Sequence, residues 1–230
     1  MFSGKMKAVT FSYDDGVTQD IRLVEILNRY GLKATFNLNS ELLGKDESLD
    51  ILGKKISHCK LQSHEITGVY KGHEIAAHTL THPDMTEMAA DEVLRQVEQD
   101  RLNLSELSGS EVIGMAYPGR QPNYNSRIAQ IIENSTGIKY ARTTICSNDF
   151  SPQRDLYEFH PSVFHRNWEQ LYNLAEKFIE VEPTSEKIFY IWGHSYEFDI
   201  NEEWDKFEKF CKFISNRSDI FYGTNKEILL

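Results

Sequence analysis

Cysteine is scarce in this chain: Cys59, Cys146 and Cys211 are far apart and form no CxxC pair. An odd, scattered set argues against a disulfide framework and fits a reduced compartment. Each is read as a small core residue rather than a nucleophile. Long hydrophobic runs are also missing. No segment approaches the roughly 18 apolar residues of a membrane-spanning helix. The first residues, Met1-Phe2-Ser3-Gly4-Lys5-Met6-Lys7, lead straight into a strand pattern with no signal-peptide core, so a cytoplasmic location is expected. Positive charge is in deficit, with 25 Lys and Arg against 35 Asp and Glu and a net charge of −10. Such a surface repels phosphate backbones and anionic lipid, which makes nucleic acid and membranes poor partners. A small neutral or cationic molecule, or a glycan, is the expected partner. There is no internal repeat, no low-complexity stretch and no Pro/Gly linker, so residues 1–230 read as a single domain.

The apolar fraction of 40% and aromatic fraction of 12% are ample for one core. Short apolar runs alternate with segments of helical period. Strands are expected at 7–12, 34–38, 74–77, 112–117, 140–144 and 187–192. The last of these is nearly all apolar, as in a strand buried on both faces of a parallel sheet. Thr18 is placed as the N-cap of a helix whose packing face is Ile21, Val24 and Leu27, closed by Gly31. Further helices are expected at 91–107, 126–134, 168–181 and 202–216. This alternation implies a parallel βα barrel or a doubly wound sheet.

The polar motifs fall just beyond predicted strand ends: Asp14-Asp15, His78, Tyr117-Pro118 and His194. In a parallel sheet those ends lie on one face, so residues scattered in sequence should converge there. Asp14 and Asp15 repel each other, and burying both requires a cation to offset the charge. His78 and His82, four residues apart in His78-Thr79-Leu80-Thr81-His82, can aim both imidazoles at one point, and Pro83 favours a tight turn over a long helix. An isolated HxxxH, or an isolated Asp-Asp-Gly turn, is commonly without function. Together at strand ends they point to two imidazoles and a carboxylate around a divalent metal, with a position left open for water or substrate. Zinc is the first expectation, and cobalt, nickel or iron would accept the same ligands. The reading from the residues is therefore a metal-dependent hydrolase.

Tyr13-Asp14-Asp15-Gly16, His78-Thr79-Leu80-Thr81-His82 and Ile191-Trp192-Gly193-His194 resemble, in order and spacing, the motifs of the polysaccharide deacetylase family, also called the NodB-homology or carbohydrate esterase 4 family. The resemblance runs from about Lys7 to Ser195. It implies an α/β fold of the irregular (β/α) barrel kind, TIM-like with about seven strands, and removal of N- or O-acetyl groups from glycans. It also implies that Asp15, His78 and His82 hold the metal, that Asp14 is the catalytic base, and that His194 protonates the leaving group. Thr79 and Thr81 are expected to orient the histidine loop, with a bond to a ligand imidazole as their plausible role.

The sequence departs from the family in three places. Met115-Ala116-Tyr117-Pro118-Gly119-Arg120 carries alanine where the family has an arginine that holds the catalytic aspartate; Arg120 is the candidate to reach back. Tyr117, Pro118, Gly119 and Arg120 are expected to contact substrate, the backbone N–H near Gly119 as an oxyanion donor. No aspartate clearly matches the one that supports the late histidine, which leaves Asp149, Asp155 and Glu197 as candidates. Trp192 stands at the acetyl-pocket leucine and is expected to reshape that pocket or stack on a sugar. His160 and His165 are extra candidates for lining the cleft, with ordinary loop histidines as the favoured reading, and His58, His64 and His73 read as surface positions without a role. Two other readings stay open: hydrolysis of another non-peptide carbon–nitrogen bond on a small cytosolic substrate, and a glycan-binding domain without turnover.

Overall fold

Alternation along the first strand decides what faces the barrel axis. Strand β1 (Lys7–Asp14) is buried at every position. Val9, Phe11 and Tyr13 point into the main apolar core, while the intervening Thr10 and Ser12 bond to Asn225 and Asn37. Asp14 follows in the second, polar set, so the two-residue period of a strand delivers its carboxylate to the interior.

The computed structural model describes residues 2–230. Nine further strands follow: β2 (Ala34–Leu38), β3 (Ser48–Ile51), β4 (Lys54–Ser57), β5 (Glu74–Ala77), β6 (Gly114–Ala116), β7 (Tyr140–Arg142), β8 (Val163–Phe164), β9 (Lys187–Gly193) and β10 (Ile220–Tyr222). Seven form one parallel path in the order β7-β6-β5-β2-β1-β9-β8, and β10 pairs with the first three residues of β1. Between the two ends of the path, Phe159 bridges Arg142 and the Ser162 N–H donates to the Tyr190 carbonyl at 2.8 Å. The sheet thereby curls into the irregular (β/α) barrel that the family resemblance implies, the first of the two folds the alternation allows. Helices cover its outside, and the C-terminal helix Asn225–Leu229 bonds to the interior through the Asn225 N–H to Thr35 Oγ1 and the Asn225 amide to Tyr190. Among the described residues no helix is long and apolar enough to cross a membrane.

The expected strands are all present, shortened by one to three residues where the pattern ran on, as at Gly114–Ala116, or extended, as at Asp14. Four elements escaped the pattern: the antiparallel β3–β4 hairpin, β8 and β10. Each is only two to four residues long. The first helix starts at Asp20 and is not capped by Thr18, whose hydroxyl turns to Gln19. Its buried face is Leu23, Val24, Ile26 and Leu27, while Ile21 is exposed. The segment 90–108 is not one α-helix: Arg95–Gln99 is a π-helical turn. Only Cys211 of the three cysteines is buried in the core.

Candidate active site

At the end of β1 the chain turns sharply. Asp15 has φ +83° and Gly16 has φ +61°, where an added Cβ would lie 2.7 Å from a Leu38 methyl. A non-glycine residue in this region is strained, and such strain persists only where the surroundings enforce it. Here it separates two adjacent carboxylates. Asp14 is buried against the guanidinium of Arg142, also fully buried, and accepts from the Asn37 amide at 2.8 Å. Burial pushes Asp14 upward, but the Arg142 charge prevails and holds it below the ordinary carboxylate range. The Asp14 contact resolves the missing motif arginine. In the β6–β7 register Ala116 lies opposite Arg142, so the guanidinium comes from the neighbouring strand. Arg120, the sequence candidate, is exposed on the cleft wall and is not the partner of Asp14.

Asp15 has different partners, although its Oδ2, like that of Asp14, lies close to His194 Nε2, at 4.0 Å. Its Oδ1 lies 3.8 Å from His82 Nε2, and its Oδ2 lies 3.2 Å from His58 Nε2. His58, read from the sequence as a surface residue, is buried, because the loop after the β3–β4 hairpin folds back onto the aspartate turn. Burial raises the Asp15 pKa, whereas the His58 bond and the Lys60 ammonium at 3.5 Å hold it well below the usual range.

The histidine loop is strained as well, with φ +69° at Thr79 and +57° at His82. Hydrogen bonds hold it on every side. The Asn39 amide donates to the carbonyls of His78 and Thr79 at 2.6 and 2.9 Å, and the buried Asp100 carboxyl accepts from the His78 N–H at 3.0 Å. The π-helical turn has its own part here, since the Gln96 carbonyl accepts from the Leu80 N–H at 3.0 Å and the Gln96 side chain pairs with Thr81. Thr79 Oγ1 accepts from the His82 N–H at 3.2 Å. Both threonines therefore orient the loop through its backbone and through Gln96; neither bonds a ligand imidazole.

His78 carries the test of whether these residues fit a metal. Its Nδ1 lies 2.8 Å from the Ala116 carbonyl, which requires the proton there, and leaves Nε2 buried with no hydrogen-bond partner. An orphaned lone pair aimed into a cleft beside an ionised carboxylate and a second imidazole is the donor set of a divalent cation. One ligand atom from each of Asp15, His78 and His82 lies within 4.8 Å of the others. Burial lowers the His78 pKa to about 4, so the ring is neutral and able to ligate. The residues fit the group.

Across the cleft, His194 Nε2 lies 3.9 Å from Asp14 Oδ2, and its Nδ1 lies 3.2 Å from Glu197 Oε2. Glu197, not Asp149 or Asp155, is thus its supporting acid; Asp155 caps an exposed turn at Tyr157 and Glu158. Burial opposes the charge on His194, yet Glu197, Asp15 and Asp14 together raise its pKa to about 9. His165, read as a loop histidine, is fully buried: its Nε2 donates to Glu197 at 2.8 Å and its Nδ1 faces the Tyr13 hydroxyl at 3.3 Å. Burial keeps His165 below the ordinary histidine range despite Glu197.

Asp14, Asp15, His78, His82, His194 and Glu197 line one cleft of about 530 Å³. Tyr117, Gly119, Arg120 and Trp192 share its wall, with Ile51 from the hairpin and Arg166 from the loop after β8. Pro118 does not: it is buried, a correction to its expected contact with substrate. Tyr117 commits its hydroxyl to the Tyr157 carbonyl at 2.8 Å. Trp192 stacks over Arg142 at 4.7 Å and donates Nε1 to Cys146 Sγ, so its ring is fixed. His160 bonds Thr143 away from the cleft, His73 is half-buried and accepts from the Ala34 N–H, and His64 is exposed.

A curled parallel sheet with an Asp-His-His donor set at its strand ends defines a NodB-type (β/α) barrel. The sequence matches the family described as polysaccharide deacetylase over residues 3–141, more than half of its length. The chain belongs to the polysaccharide deacetylase family. No curated protein matches the sequence. Among solved structures it is similar to the Streptococcus pyogenes deacetylase PplD in complex with acetate, with 23% identity over 65% of this chain and 61% of that one and a TM-score of 0.53. It is also similar to a variant of the peptidoglycan deacetylase PdaC from Bacillus subtilis, at 13% identity, 97% and 90% coverage and a TM-score of 0.57. A third is the CE4-family pseudoenzyme BA3943 from Bacillus anthracis, at 15%, 97% and 66% coverage and 0.55. The chain spans less than two thirds of PplD and BA3943, and at these identities the likenesses are of fold.

Proposed function

We propose that this protein is a metal-dependent hydrolase that removes acetyl groups, N- or O-linked, from a glycan or amino sugar. The reading rests on one observation above the others: the adjacent aspartates have different partners, Asp15 joining His78 and His82 while Asp14 stands ionised against Arg142, and His194 lies within 4.0 Å of both. A divalent cation held by Asp15, His78 and His82, zinc in the first instance, supplies a Lewis acid for the acyl oxygen and lowers the pKa of water.

The chain's own groups do the rest. Asp14 takes a proton from the attacking water, and Arg142 keeps it ionised for that task. Water oxygen adds to the acyl carbon and the bond to nitrogen or oxygen breaks. His194, with its pKa raised to about 9, carries the Nε2 proton that passes to the departing group, while Glu197 fixes the ring through Nδ1. The Gly119 N–H is a donor for the developing oxyanion. Arg120, Tyr117 and Trp192 supply the wall against which the sugar rests.

The test is acetate release from N-acetylglucosamine oligomers and acetylated xylan, beside hydrolysis of small cyclic and linear amides followed by loss of the amide, each with chelation and zinc re-addition. Release from the acetylated sugars that follows zinc is expected. Hydrolysis of the amides alone would move the assignment to another carbon–nitrogen hydrolase. No turnover of any substrate by zinc-loaded protein would leave a glycan-binding domain.

A further inference from the structure

Outside the three family motifs, residues 58–61 lie along the aspartate turn like a splint. The Thr18 N–H donates to the Cys59 carbonyl at 2.8 Å, the Leu61 N–H donates to the Gly16 carbonyl at 2.9 Å, and Val17 bridges Lys60. Two side chains of this segment end on Asp15. Lys60 Nζ donates to the Asp15 carbonyl at 2.8 Å, and His58 Nε2 lies 3.2 Å from Oδ2. Both are buried. The other carboxylate oxygen, Oδ1, lies 3.8 Å from His82 Nε2 and 3.5 Å from Lys60 Nζ. His58 is itself placed by its N–H to the Glu47 carbonyl at 2.9 Å and by an edge contact with the Tyr196 ring at 5.0 Å. A carboxylate on a strained φ +83° residue has no reason of its own to present one oxygen to the histidines. An N–H bound to the other oxygen fixes that choice.

We infer that His58 is a positioning residue for the metal ligand Asp15: its Nε2–H engages Oδ2, Lys60 clamps the Asp15 backbone, and Oδ1 is thereby held toward His78 and His82. The inference rests on the metal site proposed above. Partners of this kind commonly change metal affinity by about 10–100-fold when removed.

Two substitutions of similar bulk isolate the N–H. His58→Gln keeps a donor, and His58→Met removes it. Metal-free protein of each is titrated with zinc against a chromophoric chelator, and with cobalt for its absorption spectrum; thermal melting without metal checks folding. Zinc affinity is expected to fall about 10–100-fold in His58→Met and to return to within about three-fold of wild type in His58→Gln. The cobalt spectrum of His58→Gln is expected to match wild type. Equal zinc affinity in wild type and His58→Met overturns the inference, and so does a changed cobalt spectrum in His58→Gln, which would make His58 a ligand. If His58→Met does not fold, His58→Gln decides: loss of affinity there overturns the inference. Wild-type protein that binds no zinc sinks the metal site and this inference together. Zinc binding with the His58 pattern intact but no acetate release sinks only the proposed reaction.

Discussion

The two sides of the cleft are built differently. On the β1–β5 side, Asp14, Asp15, His78 and His82 come from two short, strained loops, and each loop carries its residues within five positions. On the β7–β9 side, Arg142, His165 and the His194–Glu197 pair come from three separate segments and meet through their side chains. Ligand geometry demands side chains held to within about 0.5 Å, and here the hydrogen bonds that lock the two turns supply that precision. A supporting charge needs merely to reach. It can therefore come from any strand within range, as Arg142 does from the register position beside Ala116.

The largest expected effect comes from breaking the far side at Arg142. Arg142→Met leaves Asp14 ionised, buried and unpaired, which should lower stability by about 3–5 kcal/mol in urea denaturation. Acetate release should fall with it, and Arg142→Lys should recover part of both because it restores charge without the fork. Unchanged stability in Arg142→Met would mean that Asp14 does not depend on this cation.

Glu197→Gln probes the same side more gently. The account gives a rate that needs Asp14 ionised and His194 protonated, so activity should hold at neutral pH and fall above about 9. Removing the Glu197 charge should bring that alkaline limb down by about one to two pH units, toward the ordinary histidine value near 6.5. A pH profile superimposable on wild type would remove Glu197 from the account.

An effect on stability rather than on rate lies behind the near side. Asp20 is fully buried, between the Ser195 and Tyr70 hydroxyls, and burial raises its pKa to about 7. A carboxyl raised in the folded state contributes stability at acid pH that is lost as pH climbs from near 4 through 7, at about 1.4 kcal/mol per pH unit across that window. Asp20→Asn should flatten this part of the curve for metal-free protein, measured by urea midpoints at pH 5 and pH 8. An unaltered slope would assign the pH dependence to other buried acids, such as Asp100.

The contrast also explains what the sequence revealed. Asp14-Asp15-Gly16 and His78-Thr79-Leu80-Thr81-His82 were legible because strained turns concentrate their residues. Arg142 was not, since it lies 128 positions from Asp14 and only the barrel register brings them together. One signal was available: it is a charged residue inside a short expected strand, 140–144, where a buried charge needs a partner. Glu197 stood among three candidates that sequence distance could not separate. His58 was hidden in a polar hairpin segment without hydrophobic period, so nothing foretold its burial. The main parallel strands were read from their apolar runs, whereas β3, β4, β8 and β10 were too short to show a pattern.

The division of labour between the two aspartates is tested most directly by zinc content and acetate release measured on the same sample of Asp14→Asn. The account predicts zinc retained at wild-type stoichiometry while release falls by about 10²–10⁴-fold, the range for loss of a general base. Zinc lost with Asp14, or activity that survives its neutralisation, would contradict it.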